Sequence, residues 1–439
     1  MMTPLLYTLI GCMAGTVAGI IPGTGLLVTL LILYPMLIQL DLISLLCFYI
    51  GLANVAQFTG SVTSIYFGIP GESNSVPAVI EGHRLSRQGQ GHSAIVGTGL
   101  GSLLAGTTSI FVLMALSGYY NSIISWFYSI NNQFILFVTV FIFFIILTSN
   151  RWYTNIFIMV FGYLISRIGF NDWTGEYFLS FDNLSLGTGI PFFPVVLGIL
   201  VVPNLFKHYN FELADYTRER LSDCVVKFFK NVQYSFIGTF IGMVCGLVPA
   251  VSTVLATNVA HKIVRWYEKY PNNIPSYRAL ISAESANNSA ILVTLLPLIV
   301  LGIPITGSEA LLVSILERNV IDLNWQVIVD NNYHIMLFAS VLMSLCIGII
   351  VSWPLSTMLQ RIIMFAKDYF SIVIAIILVC CLMYVGHTVN DIAYYLLVFV
   401  VFSVVGWVCR NINMIPFIFV FLVQEQVESV MIVVYNMYI

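Results

Sequence analysis

The sequence predicts an all-α polytopic membrane protein made of two inverted repeats, each with about five transmembrane helices and a Pro/Gly-broken helical hairpin. Three observations lead to this prediction. Of the 439 residues, 59% are hydrophobic and only 8% are charged, whereas a soluble domain carries roughly 25% charged residues. Many apolar runs reach the roughly 20 residues that a helix needs to cross a bilayer. Short Pro/Gly motifs also recur in the two halves of the chain.

The clearest recurring motif is an asparagine followed fourteen residues later by Gly-Ile-Pro. Asn54 precedes this motif in the first half, and Asn288 precedes it in the second half, 234 residues further on (288 − 54). An earlier repeat matches Gly15 of GTVAGIIPG with Gly242 of GMVCGLVPA at an offset of 227 (242 − 15). A loop absorbs the small difference between these offsets at little cost. Two related halves with interrupted apolar segments are typical of a secondary transporter.

The first repeat is expected to cover residues 1–206 and to begin with a broken helix. The apolar run Thr3–Leu40 is too long for one crossing and is interrupted at Pro22-Gly23, so it predicts a broken pair or a re-entrant hairpin. Glu72 to Ser93 is predicted to be a polar loop. Single crossings are predicted at Leu42–Ile69, Ala94–Gly118, Phe134–Ser149, Trp152–Ile168 and Ile190–Phe206.

A charged linker at 207–231 leads to the second repeat, which is expected at 232–439. Its first apolar run, Val232–His261, is broken at Pro249. Here Pro-Ala-Val-Ser replaces the Pro-Gly-Thr-Gly of the first half, so the two halves need not bind the same group. Single crossings are predicted at Ala279–Leu301, Tyr333–Trp353, Ser371–Gly386, Ile392–Val408 and Met414–Ile432.

The distribution of basic residues predicts the orientation in the membrane, because loops that face the cytoplasm are enriched in Lys and Arg. If the linker is cytoplasmic, 15 of the 17 basic residues lie inside, and only Arg167 and Arg318 lie outside. Equivalent loops of the two halves have opposite charge character, which favours opposite orientations of the halves. We therefore expect an inverted repeat in a cell (inner) membrane, with both termini outside.

The Pro/Gly breaks are the first candidate site. Proline interrupts a helix and glycine lets a ligand approach the backbone closely. Broken backbone at membrane depth is tolerated where it lines a cavity, and helix N-termini that face such a cavity attract anions. Kinks without function are the alternative. The candidate substrate-binding residues are Gly23, Thr24, Gly25, Ser61, Gly71, Ser73, Asn74, Ser75, Thr306 and Ser308.

Polar residues within the apolar runs are the second candidate site, because such residues are costly in a membrane and usually functional. The segment AESANNSA holds one carboxylate and two carboxamides. Their oxygens could coordinate Na⁺, or the carboxylate could exchange a proton; an interhelical hydrogen-bond network is the alternative. The candidate coupling-ion residues are Asn54, Glu284, Asn287 and Asn288. No cofactor other than Na⁺ or H⁺ is expected.

The sequence resembles the large membrane subunit of tripartite tricarboxylate transporters, of which it could be a divergent member. Five segments carry the resemblance, and together they are spread over most of the chain. They are GTVAGIIPGTG (Gly15–Gly25), GIPGESNSVPAVIEGHRLSRQGQG (Gly68–Gly91), TGIPFFPVVLGIL (Thr188–Leu200), AESANNSA (Ala283–Ala290) and LGIPITGSEALL (Leu301–Leu312).

This resemblance implies a permease that imports a carboxylate with an ion or proton gradient and moves by an elevator. It also implies a small membrane subunit and a periplasmic solute-binding protein as partners. This family usually has Pro-Gly where the chain has Pro249-Ala250. An outlying relative that works without partner subunits is therefore an alternative. A homodimer is one possible assembly state.

Other function classes fit the sequence less well. It contains no His-Glu-x-x-His zinc motif and no paired intramembrane aspartates, so we do not expect an enzyme. The net charge of −3 gives no reason to expect a nucleic-acid partner. A channel is not expected either, because the sequence supplies no ring of charged residues. A carrier of lipid-linked or other anionic substrates remains the alternative to a carboxylate permease.

Overall fold

The protein is almost entirely helical in the computed structural model. The structure describes residues 2–21, 25–69, 72–127, 130–148, 150–170, 176–181, 184–205, 219–249, 252–269, 271, 274–319, 323, 325–366, 369, 376, 380, 382–383 and 389–421. Among these residues, six helices are long and apolar enough to cross a bilayer: Thr3–Ile20, Leu42–Phe67, Ser86–Ser122, Tyr277–Leu301, Tyr333–Ser352 and Asn390–Val408. These helices confirm the prediction of an all-α polytopic membrane protein.

The first half contains ten α-helices among the described residues. They are α1 (Met2–Ile20), α2 (Gly25–Leu37), α3 (Leu42–Phe67), α4 (Gly91–Leu116), α5 (Tyr120–Phe127), α6 (Ile130–Leu147), α7 (Trp152–Ser166), α8 (Leu184–Gly187), α9 (Phe192–Val196) and α10 (Val202–Leu205). A π-helical turn, Leu197–Val201, joins α9 and α10. Strand β1 (Gly169–Phe170) pairs antiparallel with β2 (Tyr177–Phe178), with Gly169 opposite Phe178.

The second half is also helical over most of its described residues. Its helices are α11 (Leu221–Phe229), α12 (Val232–Cys245), α13 (Ser252–Glu268), α14 (Tyr277–Leu301), α15 (Gly307–Arg318), α16 (Trp325–Asp330), α17 (Tyr333–Ser352), α18 (Ser356–Ala366) and α19 (Val389–Val408). Residues 415–421 are also helical. The predicted crossing at 371–386 and the end of the one at 414–432 lie outside the described residues.

Both predicted helix breaks at proline are confirmed. Helix α1 ends at Ile20 and α2 begins at Gly25, on either side of the break predicted at Pro22-Gly23. Helix α12 ends at Cys245 and α13 begins at Ser252, on either side of Pro249. Proline removes a backbone donor and its ring clashes with the preceding turn, so a continuous helix is disfavoured at both places.

The segment predicted as a polar loop, Glu72 to Ser93, is instead largely helical. It starts with a 3-10 turn at Ser73–Ser75 and continues through π-helical stretches at Ala78–His83 and Ser86–Gln90 into α4. The prediction of a loop was wrong because buried partners satisfy its polar side chains.

Glu81 is the clearest example, since only 1% of its surface is exposed. One carboxylate oxygen lies 2.7 Å from His261 Nε2 and 3.4 Å from Arg265 Nε, both on α13. The other oxygen accepts a 2.7 Å hydrogen bond from the backbone N–H of Ser276, at the start of α14. Glu81 thus joins the two halves of the chain, which explains why this stretch is packed rather than solvated.

Glycines set the close packing of α1 on α3. A Cβ atom added at Gly11, Gly15 or Gly19 would meet backbone atoms of α3, including the carbonyl oxygens of Phe48 and Leu52. Small residues permit such close approach between membrane helices, where packing rather than the hydrophobic effect drives association. Helix α3 is buried along its whole length and lies at the centre of the apolar core.

Glycines play the same part where α12 packs on α14. A Cβ atom added at Gly238 or Gly242 would meet the backbone of α14 at the carbonyl oxygens of Ser282 and Ala286. The glycines lie 227 residues after Gly11 and Gly15, and the carbonyls lie 234 residues after those of Phe48 and Leu52. The two offsets found in the sequence therefore recur in the contacts of the two helix pairs.

The end of the linker packs on the start of α4. Glu219 accepts 2.7 Å hydrogen bonds from the backbone N–H and the hydroxyl of Ser93. Lys227 donates to Gln90 Oε1 at 2.9 Å, and its ammonium lies 4.4 Å from the centre of the Tyr277 ring. Burial lowers the pKa of Lys227, and the negative charge of Glu219 opposes that shift. The described part of the linker is thus attached to the helical body.

Candidate functional site

The candidate site lies where α3 and α14 meet, between the two breaks at Gly-Ile-Pro. Both helices end in a glycine with left-handed backbone, Gly68 with a φ of 66° and Gly302 with a φ of 70°. Residues with a side chain rarely adopt this conformation, so glycine allows a sharp end to each helix. The chain can then reverse direction at matching points of the two halves.

A cluster of three carboxamides and one carboxylate occupies this region. Asn74 Nδ2 lies 3.0 Å from Asn287 Oδ1, 3.3 Å from Gln57 Oε1 and 3.3 Å from Glu72 Oε2. Asn287 Nδ2 donates to the same Gln57 oxygen at 2.7 Å. These four residues, which we call the amide cluster, join α3, the first break and α14. The predicted substrate residue Asn74 and the predicted ion residue Asn287 are therefore in direct contact.

Glu284 lies on α14, one helical turn before Asn287, and accepts a short hydrogen bond from the Ser61 hydroxyl. The Ser61 hydroxyl also lies 3.0 Å from the backbone oxygen of Gln57. Glu284 is 2% exposed. A buried carboxyl group costs free energy in its charged form unless it is paired, so this position suits a group that takes up a proton or meets a cation.

Asn54 and Asn288 make matching contacts in the two halves. Asn54 Nδ2 donates to Ser344 Oγ on α17 at 2.8 Å, and Asn288 Nδ2 donates to Ser102 Oγ on α4 at 2.7 Å. Each asparagine is fully buried, and within the described residues neither Oδ1 atom has a hydrogen-bond partner. A buried carbonyl oxygen without a donor is costly, and oxygen atoms are the ligands that hard cations prefer.

Two of the helix N-termini expected to attract an anion already hold carboxylates of the protein. Glu72 Oε1 accepts a 2.7 Å hydrogen bond from the backbone N–H of Leu26, at the start of α2. Glu309 Oε2 accepts from the backbone N–H groups of Ile305 and Thr306, at 3.0 and 3.1 Å, in a capping box at the start of α15. These contacts indicate that both helix starts suit a carboxylate.

The other predicted substrate residues are spread around this centre. Ser75 Oγ contacts Asn74 Oδ1 at 3.3 Å, and Ser308 Oγ lies 3.2 Å from both Tyr49 Oη and Thr306 Oγ1. Gly25 has a φ of 55°, and a Cβ atom added there would lie 2.7 Å from Glu72 Oε1. Ser73 begins the 3-10 turn Ser73–Ser75, which also contains Asn74. Gly23, Thr24 and Gly71 lie outside the described residues.

Gln57 and Glu72 are polar candidates of the sequence, one within the apolar run and one just after the Gly-Ile-Pro turn, but neither is among the residues assigned to the substrate or the coupling ion. Gln57 follows Asn54 by three residues and precedes Ser61 by four, so helical periodicity puts all three on one face of α3. The spacing in the sequence therefore indicates that Gln57 lies beside Asn54 and Ser61. The contact of Glu72 with the start of α2 had no such signal, because 46 residues separate Glu72 from Leu26.

Two cavities of about 360 Å³ each lie away from the amide cluster. The first, between α4, α14, α16 and α17, has mostly apolar walls that include Leu295, Trp325 and Phe338. The second lies at the far ends of α2 and α15 and is lined by Tyr34, Arg318 and Tyr394. Neither cavity is lined by a residue of the amide cluster.

Comparison with known proteins agrees with this geometry. The family model described as "Tripartite tricarboxylate transporter TctA family" matches residues 5–421. An Agrobacterium vitis protein, described as an uncharacterized 52.8 kDa protein in the TAR-I ttuC′ 3′ region, is 26% identical over 315 residues, which are 70% of this chain and 62% of that protein. An uncharacterized protein of Methanocaldococcus jannaschii is 29% identical over 162 residues, 37% of this chain and 41% of that protein.

The matched part thus spans less than two thirds of the length of either relative. No solved structure shows a significant match to the chain. The family model nevertheless includes both Gly-Ile-Pro breaks, the amide cluster and both matched asparagines. On this evidence, the chain belongs to the TctA family of tripartite tricarboxylate transporters.

Proposed function

We propose that the protein is a secondary active permease that imports an organic anion, a di- or tricarboxylate, with a Na⁺ or H⁺ gradient. The observation that carries this proposal is the amide cluster, which joins the Gly-Ile-Pro break of the first half to α14 of the second. Amide N–H groups can bind carboxylate oxygens without bringing a fixed positive charge into the membrane. That suits a site with no basic side chain among the candidate residues.

The substrate carboxylates would bind at the amide cluster and at the two helix starts. The N–H groups of Leu26, Ile305 and Thr306 already bind carboxylates of the protein, which supports their suitability for those of a substrate. Charge repulsion opposes a substrate anion while Glu72 and Glu309 are ionised. A coupling cation or proton that reaches this region would reduce the repulsion, so ion and substrate would bind together.

We assign the coupling ion to Asn54, Glu284, Asn287 and Asn288. The buried Oδ1 atoms of Asn54 and Asn288 are candidate ligands of Na⁺, and Glu284 is the candidate proton carrier. Glu284→Gln separates the two cases. If Glu284 carries the proton, the variant loses uptake driven by a pH gradient. If Na⁺ couples, Asn54→Ala and Asn288→Ala raise the Na⁺ concentration needed for half-maximal uptake by about tenfold.

We further propose that the two halves are inverted structural repeats that move as an elevator. The matched glycine contacts of α1 with α3 and of α12 with α14 support the repeat. The reciprocal hydrogen bonds from Asn54 to Ser344 and from Asn288 to Ser102 also support it, because each joins one half to the other. Repeats of this kind hold the substrate site at their interface.

We propose that the chain lies in an inner membrane. Its proposed partners are a small membrane subunit and a periplasmic solute-binding protein. This part of the proposal rests on the family alone. Uptake by the purified chain, with and without those two proteins, distinguishes a dependent permease from one that works by itself.

The test of function is uptake of ¹⁴C-labelled citrate and succinate into proteoliposomes under a Na⁺ gradient, a pH gradient, both or neither. We expect gradient-dependent accumulation of at least one carboxylate, and labelled glucose serves as the uncharged control. The proposal fails if no organic anion accumulates under any gradient, with or without the partner proteins.

A further inference from the structure

The second of the two cavities described above lies at the ends of α2 and α15 that are remote from their Pro/Gly breaks. It has a volume of about 360 Å³ and also includes residues of the loop before α9 and the start of α19. Pockets for small molecules begin at roughly 300 Å³, so this one has room for a compact organic acid. None of its lining residues belongs to the amide cluster.

The walls of this pocket are firmly positioned by contacts between elements. The Tyr34 ring stacks on Phe193, with the ring centres 4.8 Å apart. Asn319, just after α15, donates to the backbone oxygen of Ile38, just after α2, at 2.9 Å. Tyr394 on α19 donates to the backbone oxygen of Gly189 at 3.0 Å. The pocket is therefore a built feature between four elements.

Arg318 gives the pocket its charge. Its Nη1 atom donates to the Tyr34 hydroxyl oxygen at 3.2 Å, and Arg318 itself is exposed. Within the described part of the chain, no carboxylate forms an ion pair with Arg318. A guanidinium has five N–H donors in a flat fork, and a carboxylate matches that fork with two parallel hydrogen bonds. The contact with Tyr34 leaves donors for such a ligand.

We infer that this pocket is an outer binding site for an organic carboxylate, held by Arg318 and reached before the amide cluster. The distribution of basic residues predicts that Arg318 lies outside, together with only one other of the 17 basic residues, Arg167. An arginine on a face with so few basic residues attracts an anion to one place. Tyr34 keeps the guanidinium at the pocket, and Tyr394 and Tyr395 add aromatic wall and hydroxyl groups.

This inference rests on the proposed function for the identity of the ligand, but it can be tested separately. The probe is ¹⁴C-citrate bound to the purified full chain in lipid nanodiscs, measured by equilibrium dialysis. The double variant Asn74→Ala/Asn287→Ala removes two members of the amide cluster and so weakens the inner site, which lets binding at the outer pocket be measured against a reduced background. Arg318→Gln is then added to this background, and Arg167→Gln, at the other outside arginine, is the matched control.

We expect the double variant to bind citrate still, the added Arg318→Gln to weaken that binding at least tenfold, and Arg167→Gln to leave it unchanged within twofold. A tenfold change is the order expected when a charge-assisted hydrogen bond to a carboxylate is lost. In transport assays of the otherwise native chain, Arg318→Gln raises KM about tenfold with Vmax within twofold, and Arg318→Lys restores part of the affinity.

The outcomes separate the two proposals. The outer site is refuted if the double variant binds no citrate, or if its citrate binding is the same with and without Arg318. If binding depends on Arg318 while the native chain accumulates no carboxylate, the outer site stands and the permease proposal fails. If the native chain transports citrate with a KM that Arg318→Gln does not change, the permease stands and the outer site falls.

Discussion

At the scale of single residues, the amide cluster is the feature with the greatest consequence. Gln57, Asn74 and Asn287 exchange hydrogen bonds in the interior of a chain whose surroundings are apolar. A polar group left there without a partner costs roughly 1–3 kcal/mol, so all members have to be satisfied together or replaced by a ligand. Such a network can open for a substrate because its bonds can be exchanged for bonds to the ligand.

The prediction at the residue scale concerns Asn287→Ala. The change removes both the acceptor for Asn74 and the donor to Gln57, so we expect carboxylate uptake to fall at least tenfold. Size-exclusion chromatography in detergent should still show folded protein, because α14 keeps its other packing contacts. Uptake into proteoliposomes is the measurement.

Asn331→Ala is the matched control, since Asn331 is exposed and its amide donates to the backbone oxygen of Val327, a residue outside the amide cluster. Uptake by this control should stay within twofold of the native value. Native-like uptake by Asn287→Ala would show that the amide cluster has no part in transport.

At the scale of elements, glycine faces decide how closely the helices pack. Gly15 touches the backbone of α3, and Gly242 touches that of α14. A methyl group at either place would overlap backbone atoms, which cannot move aside as a flexible side chain can. Overpacking of this kind usually costs about 1–3 kcal/mol.

We therefore predict that Gly15→Ala and Gly242→Ala each lower the midpoint of thermal unfolding, measured on purified protein in detergent. Gly118→Ala is the control, because a Cβ atom there has no described atom within 4 Å. Its midpoint should be unchanged or slightly raised. Equal midpoints for all three variants would contradict the close packing of both helix pairs.

A second prediction at this scale concerns the start of α4. Glu219 satisfies the backbone N–H and the hydroxyl of Ser93, so Glu219→Ala should destabilise the protein by about 1–2 kcal/mol, as loss of a helix cap does. Thermal unfolding is again the measurement. Glu176→Ala, at an exposed position in the β1–β2 connection, is the control and should have no such effect.

At the scale of the whole molecule, the proposed inverted repeat predicts on which side of the membrane each loop lies. Ser222 in the linker and Asn331 in the turn between α16 and α17 are both exposed, and the basic residues predict that they lie on opposite faces. In intact spheroplasts, a membrane-impermeant maleimide should label Asn331→Cys. It should label Ser222→Cys only after the cells are permeabilised.

The native chain, which has its own cysteines, provides the background for this experiment. Labelling of both variants from the same side would show that the two loops share a face. The inverted repeat and the argument for a shared substrate site would then be wrong.

Much of the fold could be predicted from sequence because the membrane imposes simple requirements. A long apolar run in a membrane has to satisfy its own backbone and does so as a helix, so α3, α14 and α17 begin and end close to their predicted limits. The breaks at Pro22 and Pro249 follow equally directly from local stereochemistry. The stretch after Glu72 could not be predicted in this way, because buried contacts with distant residues make it helical.

The sequence alone determined the helix-forming runs, their breaks and the asparagines repeated in the two halves, since length, apolar composition and proline act locally. Only the tertiary structure decided which polar groups meet: Asn74 with Asn287, Glu72 with the start of α2, and Glu81 with α13. The physical reason is that hydrogen bonds between elements depend on how helices pack. Helix packing is determined jointly by side chains that lie up to hundreds of residues apart.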